Sequence, residues 1–438
     1  MTIQDLSGKK ICILGYGKEG QAMLKAIEKY APSAEVTIAD KDPETCNTQH
    51  TTQLGSDYLK KLQRFDIIIK SPGIPHQAEF DAVKGKVTSS TQIFLDSIAD
   101  TGARVVGVTG SKGKSTTSSL IFEMLKASGE DVFLIGNIGE PAISHLGDAK
   151  PGEYRGDRSR TIFVMEMSSY QLADLTVSPP IAVLTSFFPE HLDYHGSLEA
   201  YKEAKKHISQ FQPKDGVILY SASSDDALEI AKESPGTHIP FSPDECPLPI
   251  SDTHLLGDHN RSNIAAAWKV GIRLGVPNEV MLKVIREFKG LPHRLQSLGV
   301  HHGIEWIDDA ISTTPESTIA ALDALGDRVE TIILGGQDRG NDFTELAKRL
   351  KTSAVKTVIL FPGSGPRIRK SLEEVKSTTK IIEAKSMETA VKAAKDNLAT
   401  RKPQPVTPIV LLSTASPSYN MFKNFEEKGE AFAKSIKK

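Results

Sequence analysis

Residues 105–120 read VVGVTGSKGKSTTSSL. An apolar, β-branched run at 105–109 leads into a loop with Gly110 and Gly113, and Lys114, Ser115 and Thr116 then open a stretch free of Gly and Pro. Strand, glycine loop and helix in that order make an anion-binding turn. Backbone N–H groups point into the loop, and the helix N-terminus adds positive potential. The strict P-loop spacing GxxxxGK[ST] is not met, because the residue five before Gly113 is Val108. A shortened variant, Thr109-Gly110-Ser111-Lys112-Gly113-Lys114-Ser115-Thr116, keeps the physical content. The N–H groups of 110–115 can cradle phosphate, Lys114 can reach β- and γ-phosphates, and Ser115 can ligate Mg²⁺. The competing reading is a plain Gly/Ser surface loop, which the flanking strand and helix argue against.

A second loop of this kind lies upstream. GYGKEG places Gly15, Gly17 and Gly20 between the strand-like KKICILG and a helix predicted over 18–31, with Asp40 closing the next strand, AEVTIAD. Spacing and acid fit the dinucleotide fingerprint. The same turn suits any nucleoside diphosphate, so NAD(P), another diphosphate and a simple tight turn all stay open here. KSPGIP, with Ser71, Pro72 and Gly73, follows the strand FDIIIKSPG and could cover such a ligand. A dehydrogenase needs only the upstream loop and a kinase only the downstream one. Both in one chain suggest ATP driving chemistry on a substrate with its own nucleotide handle.

Outward from these loops the chain alternates strand and helix in three blocks, which argues parallel sheets with helices on their faces. The first covers 1–99. The second adds DVFLIGN, TIFVMEM and IAVLTSF, and the third, after GLPHRLQSLG, adds IEWIDDA, VETIILGG, VKTVILF and PIVLLST. Gly- and Pro-rich stretches near 147–157 and 235–249 read as surface loops. With 438 residues, two to four domains are expected at about 100–200 residues each. A formal net charge of -2 excludes a global basic field for nucleic acid, and the cluster KRLKTSAVK at 348–356 reads as a solvated helix face. Cys12, Cys46 and Cys246 form no CxxC pair, so neither a zinc site nor a disulfide framework is indicated. The start, MTIQDLSGKK, has no apolar signal core, and no apolar run reaches membrane-spanning length. A cytoplasmic protein with no membrane partner is expected.

Around the phosphate loop, VMEMSSYQL puts Glu166 at a strand end, where an acid can hold Mg²⁺. SFFPEHLDYHG offers Glu190, His191, Asp193 and His195 after another strand of the same block, and His191 is a candidate second metal ligand. YKEAKKHI then presents Lys202, Lys205 and Lys206, which by themselves read as a solvated basic face.

Taken together, TGSKGKST, GNIG (136–139), EMSSYQL, EHLDYHG with YKEAKK, GDHNRSN (257–263), LPHRLQ (291–296) and the tail LLSTASPSYNMFKNFEEKGEAF resemble the Mur ligase family, in its order and spacing. The resemblance implies an α/β chain of three domains in series. Residues 1–99 would be a Rossmann-like domain binding a UDP-linked substrate. Residues 100–296 would be a central P-loop ATPase-type parallel-sheet domain binding ATP, and 297–438 a Rossmann-like C-terminal domain binding the incoming amino acid. It also settles the upstream loop in favour of UDP, with Gly15, Gly17, Lys18, Glu19, Gly20, Asp40, Lys41, Ser71, Pro72 and Gly73 as the cradle. Asn137 and Ser168 would lie near the substrate's alanyl end.

By the same resemblance, Gly110, Ser111, Lys112, Gly113, Lys114, Ser115 and Thr116 hold the ATP phosphates. Asn260 and Asn263 meet adenine, and Arg294 and Asp309 lie near phosphate and ribose. Two Mg²⁺ ions are implied, with Ser115, Glu166, His191 and a carbamylated Lys205 as ligands, and Lys114, His191 and Lys205 as catalytic residues. Thr313, Arg339, Ser418 and Phe425 would surround the amino acid. The implied activity is ATP-dependent addition of D-glutamate to UDP-N-acetylmuramoyl-L-alanine through an acyl phosphate, in peptidoglycan precursor synthesis, by a monomer. Two departures bear on the acceptor. DDAISTT (308–314) has Ile311 where the family's pattern has a glutamate-holding lysine, and GGQDRGNDF has Arg339 at a further lysine position. Arg can grip a carboxylate with two parallel hydrogen bonds, but the lost cation at 311 keeps L-glutamate, or another acidic amino acid, as an alternative. A P-loop kinase or ATPase that forms no amide is the alternative of another class.

Overall fold

The computed structural model describes residues 1–45, 49–149, 161–399 and 406–438. Cys46 and the part of the 147–157 stretch beyond residue 149 lie outside the described residues. Two compact units emerge: Met1–Pro249 with His259–Glu287, and Ile250–Asp258 with Phe288–Lys438.

The first unit holds two parallel sheets. One is built from β1 (Lys10–Leu14), β2 (Glu35–Asp40), β3 (Thr51–Leu54), β4 (Ile67–Lys70) and β5 (Val87–Thr88), in the order β3-β2-β1-β4-β5. Ile11, Cys12, Ile13 and Leu14 of β1 are all buried. Strands covered on both faces read as unbroken apolar runs, as this one does. Burial pushes the Cys12 thiol up to about 12, so it behaves as core. The chain's order reverses between β1 and β4, which places the glycine turn after β1 beside the loop after β4, the position where open α/β sheets take ligands.

The other sheet comprises β6 (Arg104–Thr109), β7 (Val132–Gly136), β8 (Ile162–Glu166), β9 (Ile181–Leu184), β10 (Val217–Ser221) and β11 (Thr237–Phe241), in the order β11-β10-β9-β6-β8-β7. β6 lies between β8 and β9, so the loops after these three strands share one edge. The two sheets share a core in which Phe94 meets Phe163 edge-on at 5.3 Å. The stretch 235–249, read above as a surface loop, contains β11. Its backbone pairs in parallel with β10 from Val217↔Thr237 to Ser221↔Phe241. β11 is the edge strand, where Pro240 interrupts no central ladder.

The second unit contains β12 (Gln296–His301), β13 (Ile304–Asp308), β14 (Val329–Leu334), β15 (Thr357–Leu360), β16 (Lys380–Glu383) and β17 (Ile409–Leu412). The order is β12-β13-β17-β14-β15-β16, parallel except for the antiparallel edge pair β12–β13. The basic cluster at 348 onward lies on the helix Thr344–Lys351, where Lys348 pairs with Glu345 and Arg349 with Asp323 at the surface. Among the described residues no helix is long and apolar enough to cross a membrane.

Candidate active site

The phosphate loop follows β6 and precedes the helix Lys114–Ala127. Gly113 caps that helix at φ +87°, and a Cβ there would lie 2.2 Å from Asn263 Oδ1. A side chain is therefore excluded by backbone conformation and by space. Asn263 takes Nδ2 to Asn260 Oδ1 at 2.8 Å, so both asparagines brace this turn within the first unit. Ser111 Oγ contacts Phe188 O at 2.8 Å and Tyr201 Oη at 3.0 Å. The Lys112 amide donates to Ser186 Oγ at 2.8 Å, and its Nζ pairs with Glu190 at 2.5 Å. Thr116 is buried, and Ser115 sits half-buried in the first turn of the helix.

Two lysine side chains converge on one carbonyl. Lys114 Nζ donates to Gly110 O at 2.9 Å and to Ser111 O at 3.0 Å, while Lys205 Nζ donates to the same Gly110 O at 3.1 Å. Lys205 is 1% exposed and lies over the Tyr201 ring at 4.9 Å. The exposed basic face expected from YKEAKK is thus corrected for this residue: it lies on the inward stripe of the helix Leu198–Lys206 with Tyr201 and Ala204. Burial, and then the neighbouring Lys114, hold the Lys205 amine well below the usual lysine range. Lys202 and Lys206 are half-buried rather than solvated, paired with Asp226 and Glu229 and with Glu203.

A carboxylate stands at the end of β8. Glu166 is buried, Asn137 Nδ2 holds its Oε1 at 2.6 Å, and its Oε2 has no hydrogen-bond partner among the described residues. An ionised carboxylate oxygen left without a partner in the interior is costly unless a cation takes it. Ser168 caps the short helix Ser169–Leu172 through a box with Gln171. His191 sits at φ +57°, a strained conformation for a non-glycine residue of the kind that clusters at functional sites. Burial lowers the pKa of His191, and burial lowers His195 to about 4, so both imidazoles are neutral near pH 7, the form that binds metal. Among the described residues no three His, Cys, Asp or Glu side chains gather into a metal group. The donors present, one carboxylate, a hydroxyl and an imidazole, suit Mg²⁺ completed by phosphate oxygens rather than an all-protein cage.

The upstream turn is equally constrained. Gly15 adopts φ +90°, and a Cβ there would lie 2.8 Å from Ser71 Cβ. Ser71 Oγ donates to Gly15 O at 2.8 Å. Asp40 accepts from the Tyr16 amide at 2.6 Å and from the Asp42 amide at 2.9 Å, fixing both rims of the turn. Gly17, Lys18 and Lys41 stand exposed at that rim. Glu19 instead engages Ser90 Oγ at 2.6 Å and Gln171 Nε2 at 3.3 Å, and burial raises its pKa. In this geometry it braces the cradle from behind.

In the second unit, Arg294 lies just before β12, and the loops after β13, β14 and β17 carry the other candidates. Asp309 is buried and accepts from Ser413 Oγ at 2.7 Å and the Leu295 amide at 3.2 Å, and burial pushes it up to about 6, with Arg294 among the groups opposing the rise. Ser418 Oγ is buried without a partner among the described residues. Thr313 is half-buried, and Phe425 opens the helix Phe425–Ile436 with its ring 6.2 Å from that of His293. Arg339 is exposed and lies over the Tyr419 ring at 5.6 Å, with no ion-pair partner among the described residues. Sequence reasoning missed Lys428. It is fully buried, donates to Thr414 Oγ1 at 2.6 Å, and burial lowers it to about 8. Its signal was present: Lys428, Phe432 and Ser435 form an i, i+4, i+7 buried stripe.

Residues 108–247 match the Mur ligase middle domain, and residues 293–412 match the Mur ligase glutamate ligase domain. A UDP-N-acetylmuramoyl-L-alanine–L-glutamate ligase of Salinispora tropica is 34% identical over 100% of this chain and 99% of its own. A UDP-N-acetylmuramoylalanine–D-glutamate ligase of Halalkalibacterium halodurans is 32% identical over 98% of this chain and 97% of its own. The MurF ligase of Thermotoga maritima, solved in complex with ADP, is 18% identical and superposes with a TM-score of 0.59, covering 100% of this chain and 97% of that one. The chain belongs to the Mur ligase family. Its α/β architecture of three sheets is that of the family's solved members.

Proposed function

We propose that this chain is an ADP-forming ligase that adds glutamate to UDP-N-acetylmuramoyl-L-alanine in peptidoglycan precursor synthesis. The convergence of Lys114 and Lys205 on Gly110 O, at 2.9 and 3.1 Å, carries the reading. The Lys114 ammonium, held at the glycine loop, prepares a place for concentrated negative charge, as on the γ-phosphate of ATP, and Lys205 stands beside it where a carbamate would hold a metal ion against that charge. The substrate's alanyl carboxylate attacks that phosphorus and gives an acyl phosphate and ADP. The glutamate amine then attacks the acyl carbon, and phosphate departs from the tetrahedral intermediate. A carboxylate is a poor acyl donor, and phosphorylation supplies the missing leaving group. Lys114 follows the charge as it spreads over the transferring phosphoryl group.

Mg²⁺, for which Ser115, Glu166 and His191 are the proposed holders, supplies charge neutralisation at the phosphate oxygens. The orphaned Glu166 oxygen supports this assignment. Lys205 is proposed to carry a carbamate as a further ligand. Only a neutral amine adds CO₂, and burial favours that form of Lys205. Asn260, Asn263, Arg294 and Asp309 are assigned to the nucleoside of ATP, and the turn at 15–20 with Asp40, Lys41 and 71–73 to UDP, with Asn137 and Ser168 toward the alanyl end. Thr313, Arg339, Ser418 and Phe425 are assigned to glutamate, and the buried, unpartnered Ser418 hydroxyl supports that placement. ATP as co-substrate, with Cys12 and Cys246 as free thiols, supports a cytoplasmic location.

The motif resemblance favours D-glutamate as acceptor. L-Glutamate is the second reading, favoured by Ile311 and by the L-glutamate ligase of Salinispora tropica. With ATP, Mg²⁺ and the muramoyl substrate, ADP release is expected to depend on added glutamate, and mass and chiral analysis of the product identifies its handedness. Exclusive use of the L-form excludes the D-specific reading. ADP release without any amide product excludes both.

A further inference from the structure

We propose that Tyr194 is a positioning residue that couples the nucleotide cradle of the first sheet to the turn that places His191 in the second. The proposal rests on the reading of 15–20 and 71–73 as a uridine-nucleotide cradle. Tyr194 lies in the single-turn helix Leu192–His195, directly after His191, and its N–H donates to His191 O at 3.1 Å. Its side chain leaves the second sheet altogether. The Oη lies 2.7 Å from Pro72 O and 3.1 Å from Ile74 O, both in the loop after β4.

That loop is gripped from two sides. At its start, Ser71 Oγ donates to Gly15 O, the carbonyl of the glycine turn itself. At its end, Lys70 Nζ donates to Ile74 O at 2.9 Å and pairs with Asp174 at 2.8 Å, on the chain just past the helix Ser169–Leu172. The Lys70 side chain is 5% exposed, so the lysine end of this pair is shielded from solvent. Behind Tyr194 the second-sheet side is rigidly packed. Its ring lies 4.0 Å from that of Tyr170, which in turn lies 5.1 Å from His191, and His195 Nε2 is 3.0 Å from Ser169 Oγ.

A ligand that settles into the glycine turn therefore bears on Ser71, and through 72–74 on Tyr194 and the turn of His191. Packed groups and hydrogen bonds of this kind carry coupling between sites, and the coupling is reciprocal. Nothing in the proposed acyl transfer requires a tyrosine at 194. What its hydroxyl does is join its own turn to one loop whose two carbonyls lie 122 and 120 residues away in sequence.

UDP titrated calorimetrically into the protein, alone and with a saturating non-hydrolysable ATP analogue, tests this. The wild type is expected to bind UDP about fivefold more tightly with the analogue bound, the scale of one hydrogen bond. Tyr194→Phe keeps the ring but loses the hydroxyl, and is expected to bring that ratio to about one while each nucleotide still binds and the unfolding temperature holds. Asp174→Asn, which loosens Lys70 from the same loop, should lower the ratio independently of Tyr194→Phe. A ratio of one in the wild type, or equal ratios in wild type and variants, overturns the coupling. Wild-type protein that binds no UDP at all overturns the cradle assignment, and the coupling with it.

Discussion

Lys114→Ala is expected to abolish ADP formation, with turnover falling by about a thousandfold or more, while the UDP-linked substrate still binds. The magnitude follows from what the side chain does. Removing one preorganised group that stabilises transition-state charge costs about 10²–10³ in rate, and phosphoryl transfer depends on such groups almost entirely. Lys114 is preorganised in this sense, since Gly110 O and Ser111 O hold its ammonium over the loop before any ligand arrives. The fold has little stake in it, because the loop backbone is separately fixed by Ser186 and Thr185, and the Ser111 hydroxyl by Phe188 O. The proposed uridine cradle is built from other strands. A coupled ADP assay beside calorimetric binding of the UDP-substrate reads both halves. Turnover within tenfold of wild type would contradict the phosphate role of Lys114.

Lys205→Ala is the second large effect. A buried amine with a depressed pKa, sharing a carbonyl with the Lys114 ammonium, gains little from staying a lysine. In the proposed carbamylation that neutral amine adds CO₂ and loses a proton, which would make it an anion able to hold a metal ion beside the phosphate loop. Without it, activity is expected to fall by about 10²–10³-fold, as for loss of any charged group acting on the transferring phosphoryl. The truncation leaves a cavity beside Tyr201 next to the loop. Formate or acetate can occupy that space and present a carboxylate, so either is expected to restore part of the activity at millimolar concentration. Circular dichroism and thermal unfolding of the variant check that the fold survives. Full loss with no restoration by either carboxylate would contradict the carbamate.

The phosphate loop, the upstream glycine turn and the alternation of apolar runs with helical stretches were legible because each is a local pattern. A glycine turn after an apolar strand has one conformational meaning wherever it occurs. β11 was not legible. Its strand character comes from pairing with β10, and THIPF, with an edge proline and only Phe241 fully buried, has no apolar alternation of its own. β3 and β16 escaped because each is a four-residue edge strand with no fully buried side chain. In the site, Glu166 and His191 follow from strand-end placement. The burial of Lys205 and Lys428 does not follow from residue type, because a lysine on an apolar stripe is ordinarily read as a solvated one. Periodicity was the available signal in both helices. The Tyr194 bridge lay beyond sequence reasoning, since it joins two sheets whose packing no local pattern encodes.

The central claim is that a carboxylate oxygen of the substrate attacks phosphorus and leaves with it. UDP-N-acetylmuramoyl-L-alanine labelled with oxygen-18 in its alanyl carboxylate, incubated with the wild-type protein, ATP, Mg²⁺ and glutamate, measures this directly. One labelled oxygen per amide formed is expected in the released inorganic phosphate. Inorganic phosphate that stays unlabelled while amide accumulates would contradict the acyl phosphate and the account built on it.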